Sequence, residues 1–167
     1  MTEGSHGPEV FRGKTTVKEI LEVAIGFERA ALKFYSELVP KVSKRIRFLV
    51  EELAEEEMEH VRLFSELAAR PDIVSAIATE INRTAADSQF SDCLHLPNLG
   101  DHPDDQAVLQ YAMGREHAAM LHYTELARTA PEGPVRDTFI FLAKEETEHK
   151  TELEKIYYEL IHRGGGV

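Results

Sequence analysis

The chain has one cysteine, Cys93, and no tryptophan among its 167 residues. A single thiol excludes an internal disulfide framework and any Cys-Cys metal site within one chain, and it fits a reducing, cytoplasmic setting. No apolar run approaches the roughly 18 residues that cross a bilayer, so no membrane partner is expected. Residues 1–14 contain no apolar signal-peptide core, so no secretory leader is expected either. Basic residues are few beside acidic ones, 19 against 30, for a formal net charge of −11. Phosphate binding wants a basic face, so nucleic acid is not an expected partner. Convincing alternating strands are missing as well. What the chain does have is helix-period apolar patterning over long stretches, enough for one domain with a real core.

The first helix is expected from near Thr16, where Thr16-Val17-Lys18-Glu19 reads as a capping box, to about Val39, with Pro40 as the stop. The second runs from about Val42 to Ala69 and stops at Pro71. The third starts around Pro103, with Asp104 and Asp105 at the positive end of its dipole, and ends near Thr129. The fourth starts at Pro134 or Val135 and ends before Gly164-Gly165-Gly166. Short connections make each pair an antiparallel hairpin, and a crossover of about residues 70–102 separates the pairs. Within the crossover, Ile73 to Ala86 reads as a short helix and the remainder as loop. Residues 1–14 and 164–167 read as frayed ends around a single bundle spanning 15–163.

The two hairpins resemble each other. Leu21–Leu38 aligns with Leu109–Leu126 at an offset of 88, with nine of eighteen positions identical, including Glu28 with Glu116 and Tyr35 with Tyr123. Leu53–His60 aligns with Leu142–His149 at an offset of 89, with six of eight identical. The inward stripe of the first helix is Leu21, Ala24, Glu28, Ala31, Tyr35 and Leu38, and the third repeats it. The second helix contributes Ile46, Val50, Leu53, Glu57, His60, Phe64 and Leu67, and the fourth an equivalent stripe through Glu146 and His149. Each stripe is apolar except near its middle. Glu28, Glu57, Glu116 and Glu146 all lie roughly 18–21 Å from their turns at about 1.5 Å per residue. Four glutamates and two histidines are thus expected in one interior layer.

Four buried carboxylates cost several kcal/mol each if unpaired, and they repel one another. Two divalent cations neutralise them. Glu57 and Glu146 are placed to bridge two ions, His60 and His149 to bind one ion each, and Glu28 and Glu116 to complete the set. Oxygen-rich ligands with imidazole suit iron or manganese, and zinc is a third candidate. Glu56 and Glu145 offer a rival register with the same histidines, but the seam favours Glu57 and Glu146. The acidic run Glu51–Glu59 otherwise reads as a solvated face. Tyr35 and Tyr123, two turns beyond Glu28 and Glu116, read as buried aromatics, as hydrogen-bond partners of a ligand carboxylate or as an electron relay. His117 and His122 are off the seam and expected to be exposed. Cys93 and His95 read as loop. Glu3-x-x-His6 and Glu159-x-x-His162 match the short Glu-x-x-His pattern but have no seam glutamate opposite.

At these residues the chain resembles the rubrerythrin branch of the ferritin-like di-iron proteins, over about residues 16–163. The resemblance implies an all-α, ferritin-like four-helix bundle of two repeated hairpins. It implies a di-iron centre at Glu28, Glu57, His60, Glu116, Glu146 and His149. Members of that family reduce peroxide, oxidise ferrous iron or react with dioxygen. Rubrerythrins proper also carry a rubredoxin domain with two Cys-x-x-Cys pairs and an additional glutamate one turn from the third-helix ligand. This chain has a single cysteine and, at the flanking positions, Met113 and Ala119. Its symmetric ligand set is closer to ferroxidase-type centres, and electrons are expected from a separate donor or from ferrous iron. The leading expectation is a di-iron redox protein reacting with peroxide or dioxygen, as a homodimer or larger homo-oligomer. The alternatives are a non-catalytic metal-handling protein and a helical interaction module with a vestigial site.

Overall fold

The computed structural model describes residues 13–72, 80–83 and 98–162. Within them lie four long helices: α1 (Val17–Leu38), α2 (Arg47–Ala69), α3 (Asp105–Thr129) and α4 (Pro134–Tyr157), the last followed by a π turn at Tyr158–His162. None of these helices is long and apolar enough to cross a membrane.

The helix ends follow local chemistry. Thr16 caps α1, its hydroxyl accepting from the Glu19 N–H at 3.2 Å. Gly133 precedes α4 with φ +128°, a conformation open to glycine, and Pro134 then occupies the first turn, where its missing N–H is harmless. The start of α2 falls five residues later than the expected Val42. The Arg47 guanidinium donates to the carbonyls of Val39 at 3.2 Å and Val42 at 3.0 Å, satisfying backbone acceptors of a turn. Val42 and Ile46 nevertheless stay buried, so the apolar stripe continues through that turn.

Two apolar clusters fill the bundle. One combines the N-terminal half of α1 with Phe64 and Leu67 of α2, Ala119 to Leu126 of α3 and Val135 to Leu142 of α4. The other combines Ala31 to Leu38 of α1 with Leu49 to Leu53 of α2, Val108 to Ala112 of α3 and Leu153 of α4. The start of α1 therefore meets the ends of α2 and α3 and the start of α4, so each hairpin is antiparallel while α2 and α3, on either side of the crossover, run in the same direction. Between the clusters lies a layer of buried polar side chains.

One part of the architecture departs from expectation. Strands β1 (Gly13–Thr16) and β2 (Glu80–Arg83) pair antiparallel, with Gly13 opposite Arg83 and Thr16 opposite Glu80. Gly13 and Lys14 were expected in a frayed tail, and Glu80–Arg83 in a short helix. Thr15, Thr16 and Ile81 are β-branched, and pairing gives both segments backbone partners that a lone four-residue stretch lacks. The remainder of the expected short helix, at 73–79 and 84–86, and Cys93, His95, Glu3 and His6 lie outside the described residues.

Candidate metal centre

The polar layer is built from the middle of all four helices. Glu28 comes from α1, Glu57 and His60 from α2, Glu116 from α3, and Glu146 and His149 from α4. The four carboxylates and His60 are buried, and the His149 side chain is 13% exposed. They form two groups, Glu28–Glu57–His60 and Glu116–Glu146–His149, and in each the candidate ligand atoms lie within 4.8 Å of one another. The groups face each other: the His60 and His149 rings stack at 6.0 Å between centroids.

Both histidines turn the same edge inward. His60 Nδ1 lies 3.3 Å from Glu146 and 3.7 Å from both Glu28 and Glu57. His149 Nδ1 lies 3.5 Å from Glu146 and 3.9 Å from Glu116. Their outer nitrogens are held by the rival carboxylates, crosswise between hairpins. His60 Nε2 is 3.0 Å from Glu145, and His149 Nε2 is 3.2 Å from Glu56. The seam phasing thus puts Glu57 and Glu146 inside, while Glu56 and Glu145 clamp the histidines from outside. Glu145 accepts the His60 Nε2–H and Glu56 stands at ion-pair distance from His149 Nε2, leaving each Nδ1 to face the layer, the arrangement that orients metal-binding imidazoles. An acidic cleft of about 380 Å³ opens over this edge, lined by Glu55, Glu56, Glu59, Glu145 and the two histidines.

A seventh residue sits in the layer. Arg115 of α3 is buried, and its guanidinium donates to both oxygens of Glu57 at 2.6 and 3.3 Å, to Glu28 at 3.2 Å and to Glu116 at 3.4 Å. Its other face stacks on Phe27, 4.2 Å from the ring centroid. Sequence reasoning missed it because Arg115 is one residue off the seam. The available signal was a second heptad-spaced row: Ile20, Phe27 and Phe34 in α1 and Val108, Arg115 and His122 in α3 are all buried. The same row corrects His122, which was expected to be exposed. It aligns with Phe34 in the repeat and is buried like it, 6.0 Å from the Tyr123 ring. His117, one position after Glu116, is half-buried.

The tyrosines differ. The Tyr123 hydroxyl donates to Glu28 in a short hydrogen bond, whereas the buried Tyr35 hydroxyl has no hydrogen-bond partner. Glu159 and His162, the other Glu-x-x-His match in view, are exposed in the final turn.

The electrostatics follow from burial and crowding. Burial would raise Glu28, but hydrogen bonds with Glu57 and His60 and the charge of Arg115 hold it below the ordinary carboxylate range. Burial pushes Glu57 well up against the pull of Arg115. Glu116 is raised by burial and by the neighbouring Glu146 charge, and Glu146 is brought well down by Glu116, His149 and His60 despite its burial. Burial disfavours the charged His149 ring, yet Glu146 and Glu56 lift it to about 10; His60 is raised in the same way by Glu146, Glu28 and Glu57.

The donor set suits a metal ion. Glu116 Oε2, both Glu146 oxygens and His60 Nδ1 are buried without a hydrogen-bond partner. Such atoms are costly unless something binds them. No family model, curated protein or solved structure matches the chain.

Proposed function

We propose that this chain is a rubrerythrin-like di-iron protein of ferritin-like fold, built from a duplicated hairpin, that reacts with peroxide or dioxygen in the cytoplasm. The observation that carries the reading is the convergence of four buried carboxylates and two inward-facing imidazoles from four helices, with acceptor atoms left unpartnered among them. Glu28, Glu57 and His60 would hold one ion and Glu116, Glu146 and His149 the other, and Glu146 faces both imidazoles. Two ferrous ions held there would supply two electrons and Lewis acidity. Manganese and zinc suit the same donors.

The chain's own residues set the conditions for that chemistry. Glu145 and Glu56 fix the imidazole tautomers. Tyr123 fixes the Glu28 carboxylate by donating to it, and its neighbours Phe64 and Phe139, at ring distances of 5.8 and 6.1 Å, close that side of the layer to water. The acidic cleft attracts cations toward the histidine edge. Electrons come from a separate donor or from ferrous iron, and the working unit is a homodimer or larger homo-oligomer.

The same cleft favours a second reading, a non-catalytic protein that takes up and releases iron. Anaerobic ferrous titration tests the shared premise: two ions per chain are expected, and saturation at none or one would sink the di-metal reading. Peroxide consumption over many turnovers with a reductant then separates the redox enzyme from the metal handler. Metal analysis of protein purified from iron-replete cells separates both from an interaction module with a vestigial layer.

A further inference from the structure

The repeat aligns Glu28, Glu57 and His60 with Glu116, Glu146 and His149, but the structure does not treat the two sets alike. All four carboxylate oxygens of the first set have a hydrogen-bond donor. Both Glu57 oxygens and one Glu28 oxygen take Arg115, and the other Glu28 oxygen takes Tyr123. In the second set only Glu116 Oε1 has one, the Arg115 contact at 3.4 Å, and Glu116 Oε2 and both Glu146 oxygens have none. Arg115 is a permanent cation whose place in the aligned hairpin is taken by Phe27.

We infer that Arg115 makes the two half-sites unequal, so that divalent metal loads in a fixed order: Glu116–Glu146–His149 first, and Glu28–Glu57–His60 second and more weakly. The first ion meets acceptors that face only imidazole nitrogens, at 3.3–3.9 Å, and an imidazole can give up its proton and become a ligand itself. The second must separate Glu57 and Glu28 from a guanidinium fork that cannot lose its proton, and must then lie near that positive charge. Arg115 is a positioning residue in this scheme. Its charge sets affinity at one half-site, and its withdrawal from Glu57 accompanies full loading. The inference rests on the di-metal reading above and adds order and inequality to it.

The test is an anaerobic calorimetric titration of the full, chelator-stripped chain with Mn(II), repeated with Co(II) for its visible absorption. The expected wild-type result is two steps separated by about tenfold or more in affinity. Glu116→Gln is expected to remove the tight step and keep the weak one, and Glu28→Gln to do the reverse. Arg115→Phe, which restores the residue of the aligned hairpin, is expected to bring the two steps within about threefold of each other. Far-ultraviolet circular dichroism and a cooperative melt establish that each variant is folded. If Arg115→Phe does not fold, the two glutamine variants decide the order without it. Two equal steps in the wild type, loss of the tight step in Glu28→Gln, or an unchanged gap in folded Arg115→Phe would overturn the inference and leave the di-metal reading standing. Absence of any binding by the wild type would overturn the di-metal reading itself.

Discussion

The two hairpins carry the same ligand pattern and different surroundings. Around Glu28 and Glu57 every carboxylate oxygen is occupied by a donor from α3, whereas around Glu116 and Glu146 only one takes such a donor and the other three face imidazole nitrogens at 3.3–3.9 Å. The first half is held by a fixed cation and a phenol, the second chiefly by the two imidazoles. Identical ligands therefore do not imply identical sites; the residues one position off the seam decide how ready each half is to bind.

The sharpest way to break that comparison is to remove one seam glutamate at a time. Glu57→Ala takes both close acceptors from the buried Arg115 guanidinium, and breaking such a network costs about 3–5 kcal/mol. Glu146→Ala leaves every Arg115 contact in place and removes the carboxylate that faces both imidazoles at 3.3 and 3.5 Å, so its loss of metal-free stability should shrink as pH rises toward 10 while that of Glu57→Ala persists. Urea unfolding of both metal-free variants across that range checks this. Losses that shrink equally would mean that the Arg115 contacts contribute nothing.

Metal loading and pH come next. His149, with its pKa lifted to about 10, and His60, also raised, stabilise the metal-free fold at pH values below the ordinary histidine range. That stability is lost as pH rises from about 6.5 through the folded value of about 10. The raised Glu57 and Glu116 act in the same direction, starting from the ordinary carboxylate range. The lowered Glu28 and Glu146 have the opposite sign, and their contribution fades as pH falls below about 4.5. The metal-free chain should therefore melt highest near pH 5–6 and progressively lower toward pH 10. Loaded protein should lie above it at neutral pH, by about 2.7 kcal/mol at a hundredfold excess over Kd. Calorimetric melts from pH 5 to 10 measure both curves, and parallel curves would count against a metal layer.

The tyrosines sharpen the contrast at smaller scale. Tyr123→Phe removes a hydrogen bond to a buried carboxylate and should cost about 1.5–3 kcal/mol. Tyr35→Phe removes a hydroxyl without a hydrogen-bond partner and should be neutral or slightly stabilising. Thermal unfolding of the pair is sufficient. The smallest effect on the fold belongs to Glu56→Ala and Glu145→Ala, which leave the bundle intact. Each frees the outer nitrogen of one histidine and should weaken metal binding by about 10–100-fold, read by the same calorimetric titration.

Much of this site was legible from spacing. The 3-4 stripe separates Glu57 from Glu56 because one residue turns a helical side chain by about 100°, and that rotation divides an inward carboxylate from an outward one. Arg115 and His122 were not legible from a narrow seam, because a core-facing stripe is wide enough to bury the flanking row too. Their long polar side chains read as surface until Phe27 and Phe34 are laid beside them. The roles of Glu56 and Glu145 depend on which helix faces which, which spacing within one helix does not carry. The ribbon of Gly13–Thr16 with Glu80–Arg83 depends on a partner more than sixty residues away, and neither segment has enough alternation to announce itself.

The contact between Arg115 and Phe27, 4.2 Å from guanidinium to ring centroid, also bears on why the two hairpins belong to one polypeptide. Aligned positions that touch each other lie close to the axis relating the two halves. In a two-fold assembly of separate, identical hairpins, whatever one copy places near the axis the other must place there too. Such an assembly would set two guanidinium groups against each other, or two phenylalanines with no guanidinium among four carboxylates. Joining the hairpins in a single chain frees each axial position to be encoded independently. A fused duplicate can thus hold one positive charge at the centre of an otherwise symmetric layer, which a homodimer of single hairpins has no means to do.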